Sequence, residues 1–162
     1  MGATANRKGY STVTAYLSVR DAARAIEFYK KVFGATERLR LPGPAPETIG
    51  HAELVIGDSV IMLADEFPAF GNKSPESLDG TPVSFAVYVP DVDATFAKAL
   101  AAGAKVYQPV QDKFYGDRSG TVIDPFGHMW SIMTPREDVS PEEMKKRAAA
   151  ELAKMSQSQG KK

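Results

Sequence analysis

Hydrophobic and polar positions alternate with a period of two along residues 12–19, a pattern that predicts a β-strand. One face of this strand carries Val13, Ala15, Leu17 and Val19, and the opposite face carries Thr14, Tyr16 and Ser18. Asp21 then caps a stretch in which apolar residues recur at helical spacing until Gly34 ends it. Alternation resumes from residue 51 to 65 on either side of Gly57-Asp58, which predicts a hairpin.

This order of elements occurs a second time along the chain. Val19-Arg20-Asp21 and Gly34-Ala35 have counterparts in Val89-Pro90-Asp91 and Gly103-Ala104, and strand patterns follow each of them. Both halves therefore predict a βαβββ unit, the first over residues 11–65 and the second over 82–135. Two such units side by side make an α+β fold, in which a curved mixed sheet has helices on its convex face and a cup on its concave face.

The remaining segments frame a single predicted domain of residues 11–136. Residues 1–10 are small and polar and are interpreted as a flexible arm. The aperiodic stretch 66–81 contains Pro and Gly and is interpreted as a plain connector, with a lid over the cup as the alternative. A capping box at Ser140 opens a helix that we assign to residues 137–155, and the polar tail 156–162 is predicted to be disordered.

Composition narrows the choice of partners. A chain of 162 residues with 43% hydrophobic content suffices for one core. Lys and Arg number 20, as do Asp and Glu, so the net charge is zero and electrostatic binding to nucleic acid is not expected. The chain has no apolar run of membrane length and no signal-peptide core, which favours a cytoplasmic protein without a membrane partner. It has no cysteine, so its chemistry rests on oxygen and imidazole groups.

The strand faces that point away from the core define the predicted lining of the cup. This lining is mixed polar and aromatic, as suits a small organic ligand, and consists of Thr14, Tyr16, Ser18, His51, Glu53, Met62, Ser84, Tyr88, Met129 and Ser131. His51 and Glu53 stand two residues apart on one strand face, so they are candidates for a catalytic acid/base pair. A solvated polar pair at a strand end is the alternative. As metal ligands, the two would need Glu47 or a dimer partner to complete the site.

A second candidate group lies in the loop before the last hairpin. Asp117 and Arg118 could place a charged fork at the rim of the cup for an anionic group of the substrate, with Tyr115 as a stacking or hydrogen-bonding wall. The alternative is that these side chains tie the loop to neighbouring segments. His128 and Trp130 are interpreted as structural residues, because no companion ligand lies near His128 in sequence and Trp130 alternates with the cup positions.

Several motifs together resemble the vicinal oxygen chelate superfamily, which includes glyoxalase I, extradiol dioxygenases and bleomycin-resistance proteins. They are the paired βαβββ pattern, Phe28-Tyr29 in the first helix and the turn Asp124-Pro125-Phe126-Gly127. Tyr115-Gly116-Asp117-Arg118 together with His128-Met129-Trp130 resembles the PhnB-like branch of this superfamily. The resemblance covers about residues 12–136 and implies a glyoxalase-like fold, a small-molecule ligand and a homodimer.

The resemblance also implies where a metal would bind. Enzymes of the superfamily hold a divalent metal at four strand positions in the cup, and these fall here on Thr14, Met62, Ser84 and Ser131. Hydroxyl and thioether groups are weak ligands for Zn, Ni or Mn. No metal cofactor is therefore expected, and Zn, Ni, Mn or Fe would require a displaced site at His51 and Glu53.

Two functions remain open from the sequence. The first is a bleomycin-resistance-like protein that binds a small aromatic or amphipathic molecule, with walls formed by Tyr16, Met62, Tyr88 and Tyr115. The second is a lyase or isomerase of the glyoxalase type, in which Glu53 is the base and His51 the partner acid.

Overall fold

The computed structural model describes residues 9–159 and contains two βαβββ modules in succession. The first module consists of β1 (Ala15–Val19), α1 (Ala22–Phe33), β2 (Thr36–Pro42), β3 (Ile49–Ile56) and β4 (Ser59–Asp65). The connector holds a 3-10 turn (Pro68–Phe70) and the short helix α2 (Pro75–Leu78). The second module consists of β5 (Ser84–Tyr88), α3 (Val92–Ala101), β6 (Lys105–Asp112), β7 (Asp117–Ile123) and β8 (Met129–Pro135), and it is followed by α4 (Pro141–Gln159).

Each module forms a four-stranded mixed sheet, which confirms the predicted α+β fold. The strand order is β1-β4-β3-β2 in the first sheet and β5-β8-β7-β6 in the second. β1 runs parallel to β4 and β5 runs parallel to β8, while the other neighbouring strands are antiparallel. The tight turn at Gly57 sets the hairpin register that the sequence predicted, with Glu53 opposite Met62.

β1 and β5 are edge strands, and the two sheets share no ladder. Each of these strands pairs on one side only, β1 with β4 and β5 with β8. A groove of about 560 Å³ lies between the two sheets, and its lining includes Ala15, Phe33, Phe85 and Trp130. Two adjacent sheets thus take the place of one continuous curved sheet.

Both sheets pack against their helices and share a single core. The helices contribute fully buried side chains to it, namely Ala25, Ile26 and Tyr29 of α1 and Val92 and Ala99 of α3. A buried carboxylate, Asp124, accepts hydrogen bonds from the Tyr29 hydroxyl at 2.8 Å and from Nε1 of Trp130 at 2.9 Å. Because Tyr29 belongs to the first module and Asp124 to the second, this carboxylate joins the two modules.

The connector is tied to the first module by a carboxylate. Glu66 accepts hydrogen bonds from the backbone nitrogen of Ser74 at 2.8 Å and from the Ser77 hydroxyl at 2.9 Å, and it pairs with Arg20 at 2.8 Å. The Ser18 hydroxyl at the end of β1 donates to the side chain of Asn72. The connector therefore has a defined path beside β1, and its residues close one side of a cavity of about 270 Å³ that Tyr16 and His128 also line.

Acid is expected to weaken the fold through Glu66. Burial by itself would raise the pKa of Glu66, but hydrogen bonds from Ser74, Ser77 and Arg20 outweigh burial and lower the pKa to about 2. A carboxyl group with a depressed pKa stabilises the folded state above its unfolded pKa of 4.5, and this stabilisation is lost as the pH falls toward about 2. Glu66→Gln should therefore cost about 2 kcal/mol of unfolding free energy at neutral pH.

The measurement is a series of urea denaturations between neutral pH and the acid limit of the fold. Glu66→Gln should flatten the acid branch of the stability profile, whereas the matched variant Glu76→Gln, on the exposed side of α2, should follow the parent protein. If the stability of the parent and of Glu66→Gln fell equally steeply with decreasing pH, Glu66 would not be the source of the acid sensitivity.

The structure corrects the predicted bounds of the terminal segments. α4 begins at Pro141 and not at residue 137, because the Ser140 hydroxyl caps it by accepting a hydrogen bond from the Glu143 backbone at 3.2 Å. It continues to Gln159, so residues 156–159 are helical where a disordered tail was predicted, since no helix breaker occurs before Gly160. Residues 1–8 and 160–162 of the predicted arm and tail lie outside the described residues.

Among the helices of residues 9–159, none combines the length and the apolar character that crossing a membrane requires.

Candidate functional site

The first half of the predicted cup is a hydrogen-bonded row of side chains on the open face of the first sheet. The strand registers place Tyr16 beside Met62 and Met62 beside Glu53. The Tyr16 hydroxyl lies 2.9 Å from Nδ1 of His51, and Nε2 of His51 lies 3.3 Å from Oε1 of Glu53. Residues that alternation assigned to one strand face are therefore in direct contact with one another.

Two residues that the sequence did not single out close over Glu53. The Tyr10 hydroxyl donates to Oε1 of Glu53 at 2.6 Å, and Nε of Arg38 lies 3.4 Å from Oε2. Arg38 also stacks over the Tyr10 ring at 4.4 Å and donates to the Gly9 carbonyl at 3.0 Å. Gly9 and Tyr10 thus pack on the sheet where a flexible arm was predicted, because Tyr10 satisfies a carboxylate that is only 4% exposed and the Gly9 carbonyl accepts from Arg38.

These contacts favour the ionised form of Glu53 and indicate where the hydrogens of the row lie. The hydrogen bond from Tyr10 lowers the pKa of Glu53; burial opposes this effect, and His51 and Arg38 lower the pKa further. An ionised carboxylate only accepts hydrogen bonds, so the hydrogen shared with His51 sits on Nε2. In a neutral imidazole Nδ1 is then an acceptor, and the Tyr16 hydroxyl donates to it.

Tyr16 is the outer end of this chain of hydrogen bonds. Its side chain is 50% exposed on the open face of the sheet, whereas Glu53 at the inner end is buried. Burial of part of the ring raises the pKa of Tyr16, so the residue stays a neutral hydroxyl at physiological pH. The Tyr16 hydroxyl is therefore the member of the row that a ligand in the cup would reach.

The second half of the predicted cup is more open. Ser131 shares a hydrogen bond with Thr121 at 3.1 Å, and Ser84 stands opposite Met129 in the β5–β8 register. Ser84 is exposed, as expected for an edge strand that pairs on one side only. Thr14 precedes β1 and donates to the Ser11 carbonyl at 3.4 Å.

The α4 groove is an elongated cavity of about 820 Å³ beside the second sheet, and it brings several predicted residues together. Tyr88, Tyr115 and Asp117 line it, as the sequence suggested. Phe114 and, from α4, Met144 complete the walls, and no sequence motif indicated either of them. The apolar position of Met144 in its helix was a signal for packing, but only the fold shows that it faces this groove.

Arg118 does not take the place that the sequence predicted for it. It donates to both carboxylate oxygens of Asp93 at 2.8 and 2.9 Å and to Asp112 at 3.2 Å. Asp93 lies in the first turn of α3, on the helix-covered side of the sheet. Asp117 and Arg118 belong to strand β7 and not to a loop, so their side chains point to opposite faces and do not form a common fork.

The four positions that the resemblance assigns to a metal do not fit a divalent ion. Thr14, Ser84 and Ser131 offer hydroxyls, and Met62 offers a thioether. Within residues 9–159, no group of three or more His, Cys, Asp and Glu side chains is arranged to hold a metal. Glu47, the predicted third ligand for His51 and Glu53, is exposed in the β2–β3 loop and lines a separate cavity with the prolines of that loop.

Comparison with known proteins places the chain in a family. The family model described as the Glyoxalase/Bleomycin resistance protein/Dioxygenase superfamily matches residues 11–132. An uncharacterized protein of Mycobacterium bovis is 48% identical over 132 residues, which cover 80% of this chain and 86% of that protein. The crystal structure of TioX from Micromonospora sp. ML1 is similar with a TM-score of 0.57 and 32% identity, over 80% of this chain and all of that one.

More distant structures share the fold alone. The fosfomycin resistance protein FosX from Listeria monocytogenes, solved with Mn(II) and sulfate, has a TM-score of 0.60 at 18% identity over 85% of this chain and 97% of that one. The PhnB protein from Bacillus cereus has a TM-score of 0.59 at 18% identity, over 76% of this chain and 99% of that one. The family model, which matches most of the chain, confirms the predicted resemblance: the chain belongs to the glyoxalase, bleomycin resistance protein and dioxygenase superfamily.

Proposed function

We propose that this protein binds a small organic molecule in its cup without the help of a metal. The observation that carries the proposal is the donor set at the four positions where superfamily enzymes hold their metal. Three hydroxyls and one thioether, from Thr14, Ser84, Ser131 and Met62, are poor ligands for Zn, Ni or Mn. This donor set does not fit the superfamily activities that depend on a metal-bound substrate oxygen.

The surface of the cup supports a binding role. Tyr16 on the first sheet is 50% exposed and Tyr88 on the second is 63% exposed. Aromatic rings of this kind offer apolar area together with a hydroxyl for orientation, which suits an aromatic or amphipathic ligand. Hydroxyls at Ser84, Ser131 and Thr121 add neutral hydrogen-bonding groups to the second half.

The test is a calorimetric titration of untagged, metal-free protein with Ni²⁺, Zn²⁺, Mn²⁺ and Fe²⁺, followed by mass spectrometry of small molecules that copurify with the protein. We expect no stoichiometric metal binding and an organic compound released on denaturation. Stoichiometric binding of any of these metals that His51→Ala abolishes would overturn the proposal, because it would show a working displaced site.

The row Tyr16–His51–Glu53 supports a second candidate, an isomerase or lyase that works by proton transfer. In this scheme Tyr16 takes a proton from the substrate and passes its own proton to Nδ1 of His51, and the Glu53 carboxylate stabilises the resulting imidazolium. The proton then returns by the same route, so no further reactant is needed. Glu53 is here a positioning residue, whereas the sequence suggested it as the base.

Turnover of the hemithioacetal of methylglyoxal and glutathione distinguishes the two candidates. If the protein only binds, the parent and Glu53→Gln should both be inactive while a copurified compound is retained by both. If the parent is active and both Glu53→Gln and Tyr16→Phe lose that activity without loss of circular dichroism, the proton-transfer candidate replaces the binding one.

A further inference from the structure

We propose that the α4 groove binds an aromatic or quaternary-ammonium cation. The inference goes beyond the proposed function, because this groove is a separate cavity that shares only Tyr88 with the predicted lining of the cup. The sequence suggested an anion-binding fork at this place, but the structure removes Arg118 from it and leaves Asp117.

The walls of the groove are largely aromatic, and two of their rings contact each other nearly at right angles. Phe114 and Tyr115 contact each other with ring centroids 5.3 Å apart and ring planes inclined at 84°. Tyr88 contributes a third ring, and the Met144 thioether a polarizable surface. Three aromatic rings thus line one cavity, and aromatic rings favour a cation through their electron-rich faces, on which a planar cation also stacks.

The charge inside the groove is negative. Asp117 is half-buried, and its carboxylate makes no hydrogen bond or ion pair with any residue between 9 and 159. Removing a carboxylate from water without a partner is costly, so a bound cation would recover that cost. Asp138, which also lines the groove, is an exposed second carboxylate without an ion-pair partner in the described part of the chain.

The remaining charged residues of the groove lining are Arg136 and Glu137. Both oxygens of the Glu137 carboxylate accept from Arg147, at 2.7 and 2.8 Å. Arg136 is exposed and is the one cationic residue of the lining, against the carboxylates of Asp117 and Asp138. With Glu137 paired to Arg147, the lining therefore keeps a net negative charge.

The groove is preorganised because α4 is held in place beside it. Arg147 of α4 donates to the Glu137 carboxylate outside the helix, at 2.7 Å, and its guanidinium also reaches the Phe114 carbonyl at 3.5 Å. Its bond to Glu143, at 2.9 Å, lies within α4 and orients the guanidinium. These bonds fix Met144, one turn earlier, against the groove. A ligand would thus meet a site that is already formed, which reduces the entropy lost on binding.

The experiment uses the full chain and two probes of nearly equal size, the cation 10-methylacridinium and neutral acridine, at mildly alkaline pH where acridine is uncharged. Binding is measured by calorimetry, and its location by the NMR shift of the Gly116 amide. We expect the cation to bind at least about tenfold more tightly than acridine. Asp117→Asn should weaken cation binding about tenfold and leave acridine binding unchanged.

Two further variants test the aromatic wall of the α4 groove and whether the effect of charge removal is specific to Asp117. Tyr88→Leu, at an exposed position, should weaken both probes several-fold without changing the thermal unfolding of the protein. Asp79→Asn is the matched control. Asp79 lines a different cavity with Ile123 and Met129, and Ile123 is at the opposite end of β7 from Asp117. Asp79→Asn should bind both probes like the parent.

Equal binding of the two probes, or cation binding that Asp117→Asn leaves unchanged, would overturn the inference and leave the proposed binding function intact. Absence of binding by both probes would also overturn it. Failure of the proposed function has a different signature, namely the metal binding or turnover described above.

Discussion

Asp124→Ala is expected to lower the free energy of unfolding by about 4 kcal/mol, the largest effect of any single substitution proposed for this protein. The buried carboxylate accepts four hydrogen bonds, from the Tyr29 hydroxyl, from Nε1 of Trp130 and from the backbone nitrogens of Phe126 and His128. Alanine would leave these four donors without an acceptor in a core that water does not reach. Two of them are peptide groups that cannot turn toward another partner.

Urea denaturation followed by far-ultraviolet circular dichroism measures this loss. The matched control is Tyr29→Phe, which removes one donor and leaves the carboxylate three, so it should cost only about 1 kcal/mol. If Asp124→Ala lowers the free energy of unfolding no more than Tyr29→Phe does, the hydrogen bonds of the Asp124 carboxylate do not hold the two modules together. Asp124→Asn should fall between the two, because an amide retains one acceptor oxygen and adds donors where donors are already present.

Gly116→Ala is expected to lower the free energy of unfolding by about 3 kcal/mol and to distort the α4 groove at the same time. Gly116 has a backbone φ of 97°, which side chains rarely adopt, and an added Cβ would collide with the Glu137 carbonyl oxygen and stand 2.8 Å from Cγ2 of Val139. The Gly116 carbonyl also accepts the backbone nitrogens of Arg136 and Glu137, at 2.9 and 3.0 Å. A shift of this residue therefore moves the segment that leads into α4.

The control separates backbone strain from collision. Gly57 also has a positive φ, 59°, but an added Cβ would meet no atom within 4 Å. Gly57→Ala should therefore cost only about 1 kcal/mol. Equal urea midpoints for the two variants would show that Glu137 and Val139 move away from the added Cβ without loss of unfolding free energy. In that case Gly116→Ala should still bind the cation at the α4 groove.

Much of the fold could be predicted because its signals are local. Alternation marked β1 and the hairpin, Asp21 and Gly34 bounded the first helix, and the two-residue turn at Gly57 fixed the pairing of Glu53 with Met62. The repeat then supplied the second module by analogy. Each of these signals spans a few residues, since strand and helix periods and turn geometry are properties of short segments.

The candidate site was predicted less completely because its contacts connect distant segments. Tyr10 reaches Glu53 across 43 positions, and Arg38 comes from the neighbouring strand β2. No local pattern distinguishes a tyrosine in a polar arm from one that closes over a carboxylate. For the Asp117-Arg118 pair, the predicted loop was wrong because β7 already begins there, and one residue of strand is enough to send the two charges to opposite faces. The alternative reading, that Arg118 ties its segment to neighbouring ones, agrees with its bonds to Asp93 and Asp112.

Residue identity and short-range periodicity were sufficient to predict the α+β class, the paired modules, the superfamily and the poor metal donors at Thr14, Met62, Ser84 and Ser131. Three features became visible only in the folded chain: the hydrogen-bonded row of Tyr16, His51 and Glu53, the pairing of Arg118 with Asp93, and the wall that α4 forms beside Asp117. The reason is physical: which partner a polar side chain finds depends on segments that come together only when the core is formed.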